Sequence, residues 1–381
     1  MKVFCQKVGK WLLKLLLHLG MIIISIPMVF VVHPVYSLVR WVSSTFFKKT
    51  LPPISLANKN SLFAPMFNKM TGSTTKAQTN RTFIYFLIPA LGAFTIFVIV
   101  PFFMGVYFSM TNWDGINNAS LTFVGFTNYK NVFADSRFIY SFMRTSLYSI
   151  LNIVIINVVA FFLALLVTQK LKLKNIYRAG FFMPNLIGGL ILGYIWKFIF
   201  NNAVPAIFSP GSAVTRTLIT NPDTAMAALM VVVTWQYAGY IMMIYIAALQ
   251  NVPLDLIEAS KIDGANGVQR LRHITMPLVA QAFTVSLFLT LVTSFKQFDT
   301  VLALTNGGPS TLMPEWLSNW FNLPFAPNVK SLNFIAYNIW DTAYNMNKLG
   351  QGQAKAIVFF LILLVFSIAQ VNYSKKREVE L

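Results

Sequence analysis

Polar side chains inside two hydrophobic segments are the residues best suited to bind a ligand. They are Thr234, Gln236, Tyr237 and Tyr240 around Gly239 in one segment, and Thr290, Ser294 and Gln297 in the next. Positions i, i+4 and i+7 share one face of a continuous helix, so the second group is predicted to point in one direction. Polar groups are costly in lipid and usually face a cavity or a neighbouring helix. They therefore predict either a hydrogen-bonding site for a polar solute or bonds between helices.

Motifs for enzymatic chemistry are missing from the chain. No G-x-x-x-x-G-K-[ST] sequence occurs, so nucleotide binding by a P-loop is excluded. His18, His33 and His273 are scattered and no H-E-x-x-H occurs, which removes the zinc-protease interpretation. Cys5 is the single cysteine, so neither an intramolecular disulfide nor a cysteine-based metal cluster can form. We expect no catalytic residue, no metal site and no cofactor bound by this chain.

Composition predicts a polytopic membrane protein. Hydrophobic residues make up 56% of the chain and charged residues 11%, whereas soluble domains carry about 25% charge. A helix needs roughly 20 apolar residues to cross a bilayer, and six segments after Arg81 approach that length. They are residues 83–110, 147–167, 179–200, 226–249, 278–302 and 356–371. Pro184 and the Gly188-Gly189 pair are predicted to interrupt the third segment.

The net charge of +19 is distributed as membrane topology requires. Basic residues cluster at 170–178, between the second and third segments, and at 375–377, after the last one. Basic loops resist translocation and stay in the cytoplasm. This pattern places residues 169–177, the 250–277 loop and the C-terminus in the cytoplasm. The charge is therefore interpreted as topology and contact with anionic lipid, and no nucleic acid is expected as a partner.

Residues 1–80 are predicted to be an N-terminal extension of the transmembrane domain, which covers residues 81–381. Lys7, Lys10, Lys14 and His18 recur at helical spacing and indicate a basic amphipathic helix in the membrane interface. The apolar run at 21–32 that follows is short for a span. It is either an in-plane or re-entrant segment or a seventh span. The polar stretch at 50–80 is typical of a flexible linker.

A polar island between two hydrophobic segments carries the most specific motif. Residues 258–265 read Glu-Ala-Ser-Lys-Ile-Asp-Gly-Ala, and the island continues through Asn-Gly to Ile-Thr-Met-Pro at 274–277. Gly264 and Gly267 are expected to permit a tight turn between two short helices. An ordinary connecting loop needs neither an acidic start nor a proline stop at this spacing.

This island resembles the EAA loop of permease subunits in binding-protein-dependent ABC importers. The resemblance extends over about 300 residues from Arg81 to the end of the chain. It includes residues 247–253 (Ala-Ala-Leu-Gln-Asn-Val-Pro), 176–185, 195–201 and 294–300, all similar to the carbohydrate-type branch. Leu-Thr-Asn-Gly-Gly-Pro at 304–309 narrows the resemblance to sugar permeases. The predicted fold is therefore an all-α integral membrane protein with a six-helix importer core.

The resemblance implies the following assignments. The coupling helices that dock into the ATP-hydrolysing subunits would include Glu258, Ala259, Ser260, Asp263, Gly264 and Ala265. Substrate contacts would fall on Gln236, Tyr237, Tyr240, Thr290, Ser294 and Gln297. Implied partners are a second permease subunit, two copies of an ATPase that holds ATP and Mg²⁺, an extracytoplasmic solute-binding protein, a sugar and the lipid bilayer. The location implied is the bacterial cytoplasmic membrane.

Three questions remain open from the sequence. The cargo can instead be glycerol phosphate or an amino acid, and Lys296 is the one candidate cation near the substrate segments. The external segment 306–355 is either a small surface cap or a docking surface. A stand-alone channel or membrane enzyme is the other functional class, against which the loop motif and the missing catalytic groups argue.

Overall fold

The first continuous helical stretch, residues 75–109, contains the boundary between two compact units. The computed structural model describes residues 75–115, 121–169, 172–207 and 218–376, and the chain divides between Phe103 and Met104. Helix α1 (Thr75–Phe94) passes through a π-helical turn (Thr95–Ile99) into α2 (Val100–Ser109). The stretch Leu87–Ser109 is long and apolar enough to span a membrane, and its most apolar window is not buried. Residues 1–74 of the predicted extension lie outside the described residues.

The second unit is almost entirely helical. Its first helices are α3 (Thr127–Ala134), α4 (Ser136–Val167), α5 (Lys174–Phe182), α6 (Gly189–Phe198), α7 (Val204–Ile207) and α8 (Pro222–Gln250). The next are α9 (Leu254–Ile262), α10 (Gly267–Arg270), α11 (Met276–Leu278), α12 (Ala280–Phe295) and α13 (Asp299–Thr305). The last are α14 (Glu315–Trp320), α15 (Ile335–Trp340) and α16 (Leu349–Lys375). Strands β1 (Ser310–Leu312) and β2 (Asn328–Lys330) form one antiparallel pair, with Ser310 opposite Lys330.

The predicted membrane segments are present in the described residues. Five helices qualify as spans by length and apolarity, and six if a pair bent by 71° is one span. That bent pair is Gly267–Leu278 followed by Ala280–Phe295. The second span begins at Ser136 rather than at 147, because its first turns carry polar residues that are buried against the 331–335 segment instead of lipid. The last span likewise begins at Leu349, before the predicted 356.

The fifth span ends earlier than expected. Helix α12 stops at Phe295, and a break at 296–298 precedes α13, so the predicted continuous helix over 278–302 is wrong. Two glycines of α6 let α13 approach closely. A Cβ on Gly193 would lie 2.6 Å from the Ala303 Cβ, and one on Gly189 would lie 2.9 Å from the Asp299 Cβ. This glycine-lined contact favours a separate helix here, because small residues bring backbones together in membranes.

The third span is interrupted where the sequence indicates. A 3-10 turn (Met183–Leu186) leads to an extended Ile187, after which α6 begins. The Ile187 carbonyl freed by this break accepts a hydrogen bond from Gln236 Nε2 at 3.1 Å. A Cβ on Gly239 would collide with the Phe181 carbonyl oxygen, so α8 lies directly against the backbone at the break. A neighbouring helix thus stabilises the interrupted backbone.

Helices α4, α8 and α12 are joined by buried hydrogen bonds. Asn157 Nδ2 donates to Thr290 Oγ1 at 3.0 Å, and Tyr245 OH donates to Asn157 Oδ1 at 2.7 Å. The Tyr245 hydroxyl also lies 2.6 Å from Ser286 Oγ. Nearer the N-terminus of α4, Asn152 Nδ2 donates to Ser294 Oγ at 2.8 Å. Around these bonds lies the main hydrophobic core, which includes Ile156, Leu229, Ile241 and Val301.

Residues 306–348, called the cap below, lie at the opposite end of the bundle from the 250–277 loop. A buried lysine fixes the cap to two spans. Lys355 Nζ of α16 donates to Asp135 Oδ2 at 2.7 Å, and to Asn338 Oδ1 and Thr342 Oγ1 at 2.8 Å each. Asp135 also caps α4 by accepting from the Arg137 backbone N–H. All three ammonium protons therefore have acceptors, which offsets the cost of burying the charge.

We predict that Lys355→Met lowers the stability of the protein by about 3 kcal/mol, because it leaves Asp135, Asn338 and Thr342 without their donor. Thermal unfolding of the purified protein measures the loss. Lys348→Met is the matched control, since Lys348 is exposed at the same end. Equal melting temperatures for the two variants would show that the Lys355 network does not hold the cap.

Candidate functional site

The 250–277 loop is built as two short helices around a glycine turn. After α9, Gly264 takes a left-handed conformation with φ +76°. Gly264 N–H donates to the Lys261 carbonyl, and Ala265 N–H donates to the Ser260 carbonyl at 2.9 Å. This pair of bonds is the Schellman motif, which normally requires glycine at the left-handed position. The turn predicted at Gly264 is therefore present, whereas Gly267 instead begins α10 and has no positive φ.

A capping box starts the second helix of the loop. Asn266 Oδ1 accepts from the Gln269 backbone N–H at 2.8 Å, and Gln269 Oε1 accepts from the Asn266 backbone N–H at 2.9 Å. These reciprocal bonds satisfy donors that a helix N-terminus leaves open. The Asn-x-x-Gln spacing could have indicated this cap from the sequence alone. The loop is thus rigid at both the end of α9 and the start of α10.

Most of the predicted coupling residues are accessible. Glu258, Ala259, Asp263 and Gly264 are exposed, whereas Ser260 is buried and its hydroxyl donates to the Ile257 carbonyl. Ala265 is half-buried. Large apolar side chains stand beside them, with Ile262 87% and Val268 75% exposed. An exposed apolar patch with a polar rim is typical of a protein interaction surface.

The loop is joined to two spans without flexible connections. Helix α9 follows α8 after residues 251–253, and the Gly267–Leu278 helix meets α12 at the 71° bend. Only three residues separate α8 from α9, and only Val279 separates the Gly267–Leu278 helix from α12.

Three of the predicted substrate residues hold the bundle together. Gln236 bonds the Ile187 carbonyl, Thr290 accepts from Asn157, and Ser294 accepts from Asn152. All three are buried. The structure therefore brings Thr290 and Ser294 to one face of α12, directed at α4. Gln297 follows the end of that helix, so the expected shared face of all three is wrong.

The other predicted substrate residues have free polar groups. Tyr237 and Tyr240 of α8 are half-buried against the main core, and Gln297 is buried. Within the described residues, no hydrogen bond engages the Tyr237 or Tyr240 hydroxyl or the Gln297 side-chain amide. Aromatic faces with free hydroxyls and an amide are groups that bind a polar, C–H-rich solute.

Helix α4 contributes polar groups that sequence reasoning missed. Tyr148 OH, Ser149 Oγ and Asn152 Oδ1 are buried without a hydrogen-bond partner. They continue a stripe from Ser141 and Thr145, each fully buried. The signal was available, because positions 141, 145, 149 and 152 recur at helical spacing. Positions 141 and 145 lie before the predicted start of the span at 147, so only half of this stripe fell within the predicted span.

The part of the chain that the structure describes contains no candidate metal site. No group of three or more His, Cys, Asp or Glu side chains is placed to hold a metal ion there. The polar groups between α4, α8 and α12 are neutral hydroxyls and amides. Such groups bind by hydrogen bonding and do not transfer protons readily at neutral pH.

Comparison with known families identifies the class of protein. The model for the binding-protein-dependent transport system inner membrane component matches residues 156–379, which include the loop and four of the spans. The chain belongs to this family. Membership makes it the permease subunit of a binding-protein-dependent ABC importer, a multi-pass inner membrane component without catalytic activity of its own.

Related permeases align along nearly their whole length. The chain is 42% identical over 301 residues to the probable starch degradation products transport system permease of Thermoanaerobacterium thermosulfurigenes, covering 78% of this chain and 94% of that one. It is 29% identical to the multiple sugar-binding transport system permease of Streptococcus mutans, over 77% and 95% of the two chains. It is 25% identical to the sn-glycerol-3-phosphate permease of Brucella abortus, over 78% and 96%.

Solved structures share the fold of this permease. A crystal structure of a bacterial ABC transporter involved in import of the acidic polysaccharide alginate superimposes with a TM-score of 0.64. The alignment covers 79% of this chain and 97% of that chain at 18% identity. At this identity the similarity establishes the fold of the permease domain.

We predict that Gly264→Pro abolishes uptake by the assembled transporter while the protein still inserts into the membrane. Proline fixes φ near −65°, and the turn at Gly264 requires φ +76°. Gly267→Pro is the matched control, because residue 267 is the first of α10, where proline is tolerated. Uptake at the normal rate in the Gly264→Pro variant would contradict the assignment of the turn.

Proposed function

We propose that this permease carries a neutral sugar or oligosaccharide. The single observation that carries the proposal is the group of Tyr237, Tyr240 and Gln297, whose polar groups have no hydrogen-bond partner in the described residues. Asp299 lies close enough to act electrostatically on Tyr237, and an anion at this position disfavours an anionic cargo. The names of the starch-product and multiple-sugar relatives support it. Lys296, the one cation considered for an anionic cargo, is exposed beyond the end of α12, whereas Gln297 beside it is buried. That position favours a neutral solute over glycerol phosphate.

The predicted substrate residues divide into two functions in this proposal. Tyr237, Tyr240 and Gln297 contact the sugar, with ring faces against its C–H surface and the amide bonded to hydroxyls. Gln236, Thr290 and Ser294 position α8 and α12 through their bonds to the broken third span and to α4. A site held by interhelical bonds is pre-organised, which reduces the entropy lost on binding.

The loop transmits the conformational change that accompanies ATP hydrolysis to the spans. ATP and Mg²⁺ bind to two copies of a partner ATPase, which receives Glu258, Ala259, Ser260, Asp263, Gly264 and Ala265 of this chain. Exposed Glu258 pairs with a basic residue of that partner, and Ile262 and Val268 supply apolar contact. Because the loop continues into α8 and α12, ATPase closure rotates the helices that carry the sugar contacts.

Other surfaces fit the remaining partners. The unburied apolar face of Leu87–Ser109 suits lipid and a second permease subunit. The loop and the C-terminus face the cytoplasm of a bacterial cell, and the cap faces outward toward the solute-binding protein. The transmembrane domain covers residues 81–381, and residues 1–80 form the extension.

We predict that Tyr240→Ala and Gln297→Ala reduce sugar uptake roughly tenfold, or change which sugar is accepted, because each loses a direct contact. ATP hydrolysis by the assembled complex should persist in both. Uptake of labelled maltose and maltotriose in proteoliposomes measures the effect.

Thr290→Val is the control for the division of functions. It removes an acceptor of Asn157 and should lower the thermal stability of the complex while sugar preference is unchanged. Normal uptake and preference in both the Tyr240→Ala and Gln297→Ala variants would contradict the substrate site.

We also predict that deleting residues 1–75 leaves measurable uptake, since all spans of the core remain in the chain. The assembled truncated transporter should be recovered from membranes with its partner subunits. Complete loss of assembly would show that the extension is part of the transmembrane core.

A further inference from the structure

A polar cleft of about 210 Å³ lies in the cap, apart from the membrane site. Its walls come from β2, from α15 with the turn after it, and from the start of α4. The lining groups that matter here are Arg137, Lys330, Asn333, Tyr337, Asn338 and Asp341. Both signs of charge, two amides and an aromatic ring therefore face one small space. That mixture does not select a simple anion or cation.

Two of the lining groups have bonding capacity that the protein leaves unused. Asn333 is 7% exposed, and its Oδ1 is buried with no hydrogen-bond partner in the described residues. Burying an amide oxygen without a donor costs free energy, and a half-turn of the amide, which exchanges its oxygen and nitrogen, would turn this oxygen toward the cleft and a donating ligand. The exposed Arg137 guanidinium has no ion-pair partner within the described residues and offers donors from the other wall.

The remaining walls are already held in place. Lys330 Nζ donates to the Asn306 carbonyl at 2.9 Å and to the Tyr337 hydroxyl. Asn338 Oδ1 accepts from Lys355, so the buried ion pair that anchors the cap also fixes this side of the cleft. The cleft is therefore formed before any ligand arrives, which favours binding.

We propose that this cleft is an external subsite for one ring of a neutral sugar, an inference that rests on the proposed function. Adjacent sugar hydroxyls both donate and accept, so one ring can bond to whichever end of the Asn333 amide faces the cleft and accept from the Arg137 guanidinium. Asp341 Oδ1 already accepts from Asn345 Nδ2 at 2.7 Å, and its second carboxylate oxygen can accept from a further hydroxyl. The volume is below the roughly 300–1,000 Å³ of pockets for larger ligands, which limits the occupant to a single ring.

The cleft is distinct from the membrane site. Arg137 and Asn152 both belong to α4, and at 1.5 Å per residue they are about 22 Å apart along the helix. A sugar in the cleft therefore cannot also contact the groups near Asn152. The cap then holds a sugar at the outer mouth of the pathway, before it reaches Tyr240 and Gln297.

The test measures maltose binding to the assembled transporter in nanodiscs, without the solute-binding protein, by saturation-transfer difference NMR. All variants carry Tyr240→Ala, which weakens the membrane site. Adding Arg137→Ala or Asn333→Ala should then weaken the remaining maltose binding about fivefold to tenfold. Arg137 is exposed, so its variant keeps the fold intact. Lys348→Ala, which also removes an exposed cation from the cap end, should leave binding unchanged.

Glucuronate is the second probe and distinguishes the ligand class. Binding of glucuronate but not maltose to the cleft would overturn the assignment of a neutral sugar. A transporter that imports maltose but whose maltose signal is unaffected by both cleft variants overturns the subsite and leaves the proposed function standing. A transporter that neither binds nor imports neutral sugars overturns both.

Discussion

The absence of water in the bilayer core is the constraint on which the arrangement of the central helices depends. Asn157, in the middle of α4, must find its hydrogen-bond partners within the protein. It donates to Thr290 of α12 and accepts from Tyr245 of α8. One amide therefore sets the rotation of three helices about their axes. The other polar groups in the spans follow from that register, because Ser294 then faces Asn152.

The same constraint explains how the interrupted third span is tolerated. The carbonyl freed at Ile187 would be costly in lipid, and Gln236 reaches it from α8. Gly239, three residues on, lets the two backbones come close enough for this bond to form. The hydrophobic side chains supply most of the buried area, but they do not determine which faces meet. Hydrogen bonds and glycines select the register.

Sequence reasoning identified the spans and the loop because both depend on local patterns. Apolar runs of the right length mark spans, and the turn at Gly264 depends on a φ value that glycine adopts readily. The break after Phe295 coincides with the polar residues Lys296, Gln297 and Asp299, but this short polar stretch did not interrupt the predicted span, and the packing of α13 against Gly193 is not visible in a single sequence. The start of α4 at Ser136 was also missed, because the first turns of this helix are polar. The bonds of Gln236 and Thr290 required knowledge of which helices are neighbours, which a single sequence does not contain.

The two ends of the molecule are linked through the same few helices. At one end the loop continues into α8 and, through the 71° bend, into α12. At the other end Arg144 of α4 donates to the Ser331 carbonyl of the cap, and Lys355 of α16 holds Asp135 and Asn338 together. Since α4 bonds to α8 and α12 at Asn157, hydrogen-bonded side chains connect the helices at the loop with the helix that holds the cap. Packed and hydrogen-bonded helices of this kind move as bodies between discrete arrangements. If the loop receives the ATPase and the cap binds sugar as proposed, the two events are expected to influence each other, because both would act on the position of α4.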